Sequence, residues 1–107
     1  SNGTIINYSV GGIRRVDLTF AISYETDIRK AKELITTILN ANSKILPTPQ
    51  AEVVVKNLTD SAIQIAVRPW AKNADFASVS SETLESCFLA FKAAGIDIQP
   101  SLKEASK

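Results

Sequence analysis

Arg68-Pro69-Trp70 is the string of this sequence with the most chemical character. An arginine fork recognises a carboxylate or another anion, and an indole ring two residues on offers a binding platform. The plainer reading is a proline bulge at a strand end, with Trp70 capping the sheet core and Arg68 paired at the surface. Arg14 and Arg15 form a second candidate. Neighbouring residues of a strand point to opposite faces, so the two guanidinium groups do not converge on one phosphate. Asp17 falls on the same side as Arg15 and is its natural partner, which favours a hinge with local ion pairs. Gly11 and Gly12 lack the further glycine, the lysine and the helix start of a phosphate loop, and read as a flexible linker. The candidate hinge or interface residues are therefore Gly11, Gly12, Arg14, Arg15, Arg68 and Trp70.

The remaining reactive residue types argue against catalysis. The 107 residues include no histidine and one cysteine, so zinc centres, histidine-dependent triads and Cys-His dyads are excluded. Cys87 lies between Leu84 and Phe88 without electropositive neighbours and reads as a buried structural thiol. A single cysteine forms no internal disulfide, which points to a reducing compartment. Glu82 and Glu85 are three residues apart on the exposed side of a helix, a solvated face rather than a carboxylate pair. No catalytic residue, metal ligand set or cofactor site emerges. Twelve basic and 11 acidic side chains leave a net charge of +1, too balanced for binding nucleic acid or anionic lipid. No apolar run reaches the ~18–20 residues of a membrane span, and no signal peptide is visible. The chain also lacks methionine, and reads as an excised part of a longer protein.

These residues sit on recognisable elements. Val16, Leu18, Phe20, Ile22 and Tyr24 alternate with Arg15, Asp17, Thr19, Ala21 and Ser23, the period of a half-buried strand. Thr26 or Asp27 then offers a helix N-cap. Ile28, Ala31, Ile35, Ile38 and Leu39 recur at helical spacing, which predicts an amphipathic helix over residues 27–41, closed off by Pro47 and Pro49. Strands are expected over residues 51–57 and from residue 62 to 67 or beyond, joined by the turn Leu58-Thr59-Asp60-Ser61. Pro69 should end or bulge the second. A long helix over residues 75–94 carries Phe76, Val79, Thr83, Cys87, Phe91 and Ala94 on one broad face, widened by Leu84 and Phe88. Gly95 is placed as the left-handed residue after it, with Ile96 in the accompanying apolar contact. Ile96-Asp97-Ile98 forms the last short strand, and residues 101–107 are a polar tail.

The order β-α-β-β-α-β predicts an α+β, ferredoxin-like fold, with two helices on one face of a four-stranded antiparallel sheet. An acylphosphatase-type enzyme shares this order but needs an arginine and an anion cradle between the first strand and first helix. Here that loop is Glu25-Thr26-Asp27, which repels phosphate.

Four collinear segments carry a family resemblance. Arg14-Arg15-Val16-Asp17-Leu18-Thr19-Phe20-Ala21-Ile22-Ser23-Tyr24-Glu25-Thr26-Asp27-Ile28 resembles the cytosolic region of small-conductance mechanosensitive channels, the MscS family. Asn2-Gly3-Thr4-Ile5-Ile6-Asn7-Tyr8-Ser9 is similar to the end of that family's small β domain. Asp60-Ser61-Ala62-Ile63-Gln64-Ile65-Ala66-Val67-Arg68-Pro69-Trp70 resembles its hairpin strand, and Phe91-Lys92-Ala93-Ala94-Gly95-Ile96-Asp97-Ile98 its closing helix-to-strand turn. The likeness covers residues 2 to 99. After Ile98 the chain departs from the family's Pro-Phe-Pro-Gln-like continuation and runs through Gln99-Pro100-Ser101 into the polar tail.

The resemblance implies a non-enzymatic cytosolic vestibule domain of a mechanosensitive ion channel, which releases ions and small osmolytes on hypo-osmotic shock. It implies a homo-oligomer, a heptamer in the full channel, in the cell inner membrane with this part on the cytoplasmic side. No cofactor and no nucleic-acid partner are expected. Residues 1–12 would be the last strand of a preceding small β domain plus linker, residues 13–100 the vestibule domain and residues 101–107 the tail. The alternative is a stand-alone ferredoxin-like small-ligand-binding or regulatory module.

Overall fold

The structure, a computed structural model, describes residues 9–100, with side chains for residues 11–98. The expected β run at residues 4–8 and the polar tail lie outside these residues. The described elements run β1 (Ser9–Val10), β2 (Ile13–Arg15), β3 (Leu18–Ile22), α1 (Ile28–Ala41), β4 (Glu52–Leu58), β5 (Ile63–Arg68), β6 (Trp70–Lys72), a 3-10 turn (Asn73–Asp75), α2 (Phe76–Ala93) and β7 (Ile98–Pro100). The chain is thus α+β, with two helices and two antiparallel sheets. One sheet has the order β4-β5-β3-β7 and the other β1-β2-β6.

Alternation explains the first of these. Phe20 faces Ile65 and Ile22 faces Ile63 across the β3–β5 ladder, and all four are buried. Ala31, Ile35 and Leu39 of α1 and Cys87 and Phe91 of α2 close over this face to make the main core. A smaller cluster of Val16, Ala71 and Val79 lies under the other sheet, with Phe76 packed against it.

Asp27 caps α1, its Oδ1 accepting from the backbone N–H of Arg29 at 3.0 Å and of Lys30 at 3.3 Å. After α2, Gly95 has φ +75°. Its N–H donates to Lys92 O at 3.1 Å and that of Ile96 to Phe91 O at 2.8 Å, the paired bonds of a Schellman motif.

Three expectations need correction. The strand after Val16 ends at Ile22, so Tyr24 is not on the apolar face but half exposed at 49%. A turn in which Thr26 N–H donates to Ser23 O redirects the chain, and Tyr24 Oη donates instead to Thr59 O. The buried stripe of α2 is narrower than predicted: Val79, Thr83, Cys87 and Phe91 are buried, whereas Leu84 and Phe88 are 38% and 45% exposed and Ala94 is exposed. A strict four-residue step keeps one line of side chains on the sheet and turns the flanking ones to solvent. Thr83 Oγ1 in that stripe has no hydrogen-bond partner among the described residues. The final strand starts at Ile98 rather than Ile96, because the Schellman turn uses Gly95 and Ile96.

Candidate functional site

The two sheets share one antiparallel ribbon. In the smaller sheet Ile13 faces Lys72, Arg14 faces Ala71 and Arg15 faces Trp70. In the larger one Leu18 faces Val67, so the same register runs on through the gap between them. Val16 N–H donates to Pro69 O at 2.8 Å at the crossing point. Pro69 has no N–H to return the bond, so the ladder is weakest there and the ribbon changes sheet. The expected strand end at Pro69 is observed, and Trp70 begins the strand that enters the second sheet.

Gly11 and Gly12 form the two-residue turn between β1 and β2, with φ of +58° and +85°. Both positive angles suit a type I′ hairpin turn, where the absence of Cβ matters. Gly12 O also accepts from Asn73 N–H at 2.9 Å, extending the β2–β6 ladder by one rung.

Charged groups collect at the crossing point. Arg15 Nε donates to Asp17 Oδ1 at 2.8 Å. Arg68 Nε stands 3.7 Å from the same oxygen, and Arg68 Nη1 donates to Glu52 Oε1 at 2.9 Å. Arg68 is a register partner of Glu52 on β4, so opposite charges follow one another across the strands. Arg14 points the other way, as alternation requires, and its guanidinium carbon lies 3.7 Å from the centroid of the Phe76 ring at the start of α2.

The structure therefore brings all six candidate residues to one ribbon and its turn. Arg15 and Arg68 share Asp17, Trp70 faces Arg15, Arg14 stands apart on Phe76, and the glycines close the hairpin. Glu52 and Phe76 belong to the same arrangement and were not singled out by sequence. Their roles depend on strand register and helix entry, which no local motif signals.

A second polar cluster ties α1 to α2. Asn42 Nδ2 donates to Glu82 Oε1 at 3.0 Å and Lys44 Nζ to Glu82 Oε2 at 3.1 Å. These bonds, that of Lys44 first, hold the Glu82 carboxyl below its usual range. Cys87 is fully buried, and desolvation pushes its thiol up to about 12, so it is not a nucleophile in the folded chain. Among the described residues no group of histidine, cysteine, aspartate and glutamate could hold a metal ion, and no helix is long and apolar enough to cross a membrane.

The family model "Mechanosensitive ion channel MscS, C-terminal" matches residues 16–98. An MscS family protein of Archaeoglobus fulgidus is 34% identical over 94 residues, which is 88% of this chain and 33% of that protein. A small-conductance mechanosensitive channel of Edwardsiella ictaluri is 28% identical over 96 residues, 90% of this chain and 34% of the channel. The crystal structure of closed-state Helicobacter pylori MscS matches with a TM-score of 0.76 and 25% identity, covering 82% of this chain and 35% of that one. Arabidopsis thaliana MSL1 matches with a TM-score of 0.65 at 12% identity, over 83% of this chain and 34% of the other, a likeness of fold alone. The chain spans about a quarter to a third of the length of the curated relatives it matches.

Proposed function

Because this chain belongs to the MscS family of mechanosensitive ion channels, as its C-terminal domain, we propose that it forms the cytosolic vestibule domain of a channel that releases ions and small osmolytes on hypo-osmotic shock. The family is one of ion channels, not enzymes. The match over residues 16–98 carries the reading, since it takes in the whole of β3 to α2 and reaches β7. The assembly proposed is a homo-oligomer of this chain's full-length protein, a heptamer, in the inner membrane with this domain on the cytoplasmic side. The order β4-β5-β3-β7, with both helices contributing to one core, supports a ferredoxin-like arrangement for residues 13–100.

Within that domain, Gly11, Gly12, Arg14, Arg15, Arg68 and Trp70 are proposed as the joint that relates the vestibule domain to a β domain before it. The smaller sheet would be the part shared with that neighbour, and residues 1–12 its last strand and linker. Residues 101–107 would form a tail beyond the domain.

The test is physiological. The full-length gene is expressed in a bacterial strain deleted for its mechanosensitive channels, and survival is counted after a sudden hypo-osmotic shift. Rescue, with tension-gated currents in excised patches, is the expected result. Normal expression at the membrane with neither rescue nor tension-gated current would refute the proposal.

A further inference from the structure

A groove of about 540 Å³ lies between α1, the connection over residues 42–51 and the start of β4. Its size falls in the ordinary range for small-molecule sites, ~300–1,000 Å³. It exists because β4 is the edge strand of its sheet and reaches out past the cover of the helices.

The lining is built in two parts. Lys32, Thr36 and Asn40 follow one another at four-residue steps, so they form one stripe along α1. Ser43 and Gln50 belong to the connection that borders the groove. None of these five side chains has a hydrogen-bond or ion-pair partner among the described residues, whereas Asn42 and Lys44 beside them are engaged by Glu82. The apolar part consists of buried Leu39 with half-buried Ile45, Ala51 and Val53.

The charge of the lining selects the ligand. Lys32, itself half-buried, is the one charged residue, and no carboxylate lines the groove. A divalent cation would find no carboxylate oxygen, and a polyphosphate would meet a single positive charge. A monoanion with an apolar body satisfies both parts. We infer that this groove binds a small organic monocarboxylate with a branched aliphatic body and an amide group. The carboxylate would pair with Lys32 and Thr36, the aliphatic part would cover Leu39 and Val53, and the amide would meet Asn40 and Gln50. This inference does not rest on the channel reading.

The probe is N-acetyl-L-leucine, titrated into the isotope-labelled 107-residue chain and followed by amide NMR shifts. N-acetyl-L-leucinamide, which differs in lacking the negative charge, is the control. Saturable shifts centred on residues 32–43 and 50–53 are expected for the acid, with affinity about tenfold weaker or more for the amide, the worth of one charge-assisted hydrogen bond. Lys32→Gln should weaken the acid by a similar factor and leave the amide unaffected. Thr36→Trp, a change at an exposed helical position, should fill the groove and abolish both. The inference is overturned by absence of saturation with the acid, by shifts centred elsewhere, by equal affinity of acid and amide, or by undiminished binding to the Thr36→Trp variant.

Discussion

Asp17 and Arg68 face each other across the point where the shared ribbon leaves one sheet for the other, with Asp17 Oδ1 3.7 Å from Arg68 Nε. Neither side chain is buried, at 46% and 27% exposure, so the pair is weak taken alone. Its place is what matters. Arg15 and Glu52 add a charge on either side, and the four groups bridge β2, the crossing point, β5 and β4.

Arg68→Gln removes the central cation of that row. Unfolding by urea should show a loss of about 1 kcal/mol, the upper range for exposed pairs joined in a network. The difference from the parent chain should shrink at ~1 M salt, where screening acts within ~3 Å. A difference independent of salt would assign the loss to packing.

Phe20 and Phe91 are 1% and 0% exposed on facing sides of the main core. Changing either to Ala should cost ~3–5 kcal/mol in denaturant titrations. A loss under ~1 kcal/mol, typical of surface positions, would contradict their burial.

A Cβ added at Gly11 or Gly12 would meet open space, so a substitution there is strained by backbone angle alone. Replacing both with Val should strain the β1–β2 turn by ~1–2 kcal/mol per residue while the domain still melts cooperatively, because the main core lies downstream. In patch-clamp recordings of the full-length variant, gating or recovery should change. An unfolded domain beside normal currents would mean that these glycines serve the core.

Glu82 brings a pH dependence. Its carboxyl, held by Lys44 and Asn42, titrates below its ordinary value of 4.5 when folded. The contribution to stability is therefore present above that value and is lost as the pH falls through the folded pKa. Glu82→Gln should be less stable than the parent at about pH 7, and the gap should close in acid below the ordinary carboxylate range. Urea midpoints across that range check the sign: a gap that widens in acid would contradict it.

Much of this was legible from residue order. The alternation from Val16 to Ile22, the Asp27 cap, the Gly95 termination and the break at Pro69 each express a local backbone or burial rule, and each recurs in the fold. Tyr24 departs from its expected place because alternation does not announce its own end; a turn bond from Thr26 to Ser23 supplies the stop. Leu84 and Phe88 depart from theirs because apolar character on a helix does not say how wide its cover is. The site was harder. Arg15 with Asp17 is a neighbour relation and was visible, whereas Arg68 with Glu52 and Arg14 with Phe76 depend on pairings between distant segments. The second sheet was hidden for the same reason, since a strand pattern does not identify its partner.

The ribbon that passes through both sheets also has a mechanical meaning. Its strand β5 lies inside the larger sheet, bonded to β4 on one side and β3 on the other, while β6 continues the same chain direction beyond Pro69. A pull on β6 along the strand is delivered to the interior of the larger sheet, where two ladders resist together in shear. A sideways push meets the Val16–Pro69 rung on one edge and, on the other edge of β6, the bond from Leu46 N–H to Trp70 O at 2.8 Å. Load along the strand is thus spread over two ladders, while load across it falls on the Ile45–Leu46 segment as well as on β2.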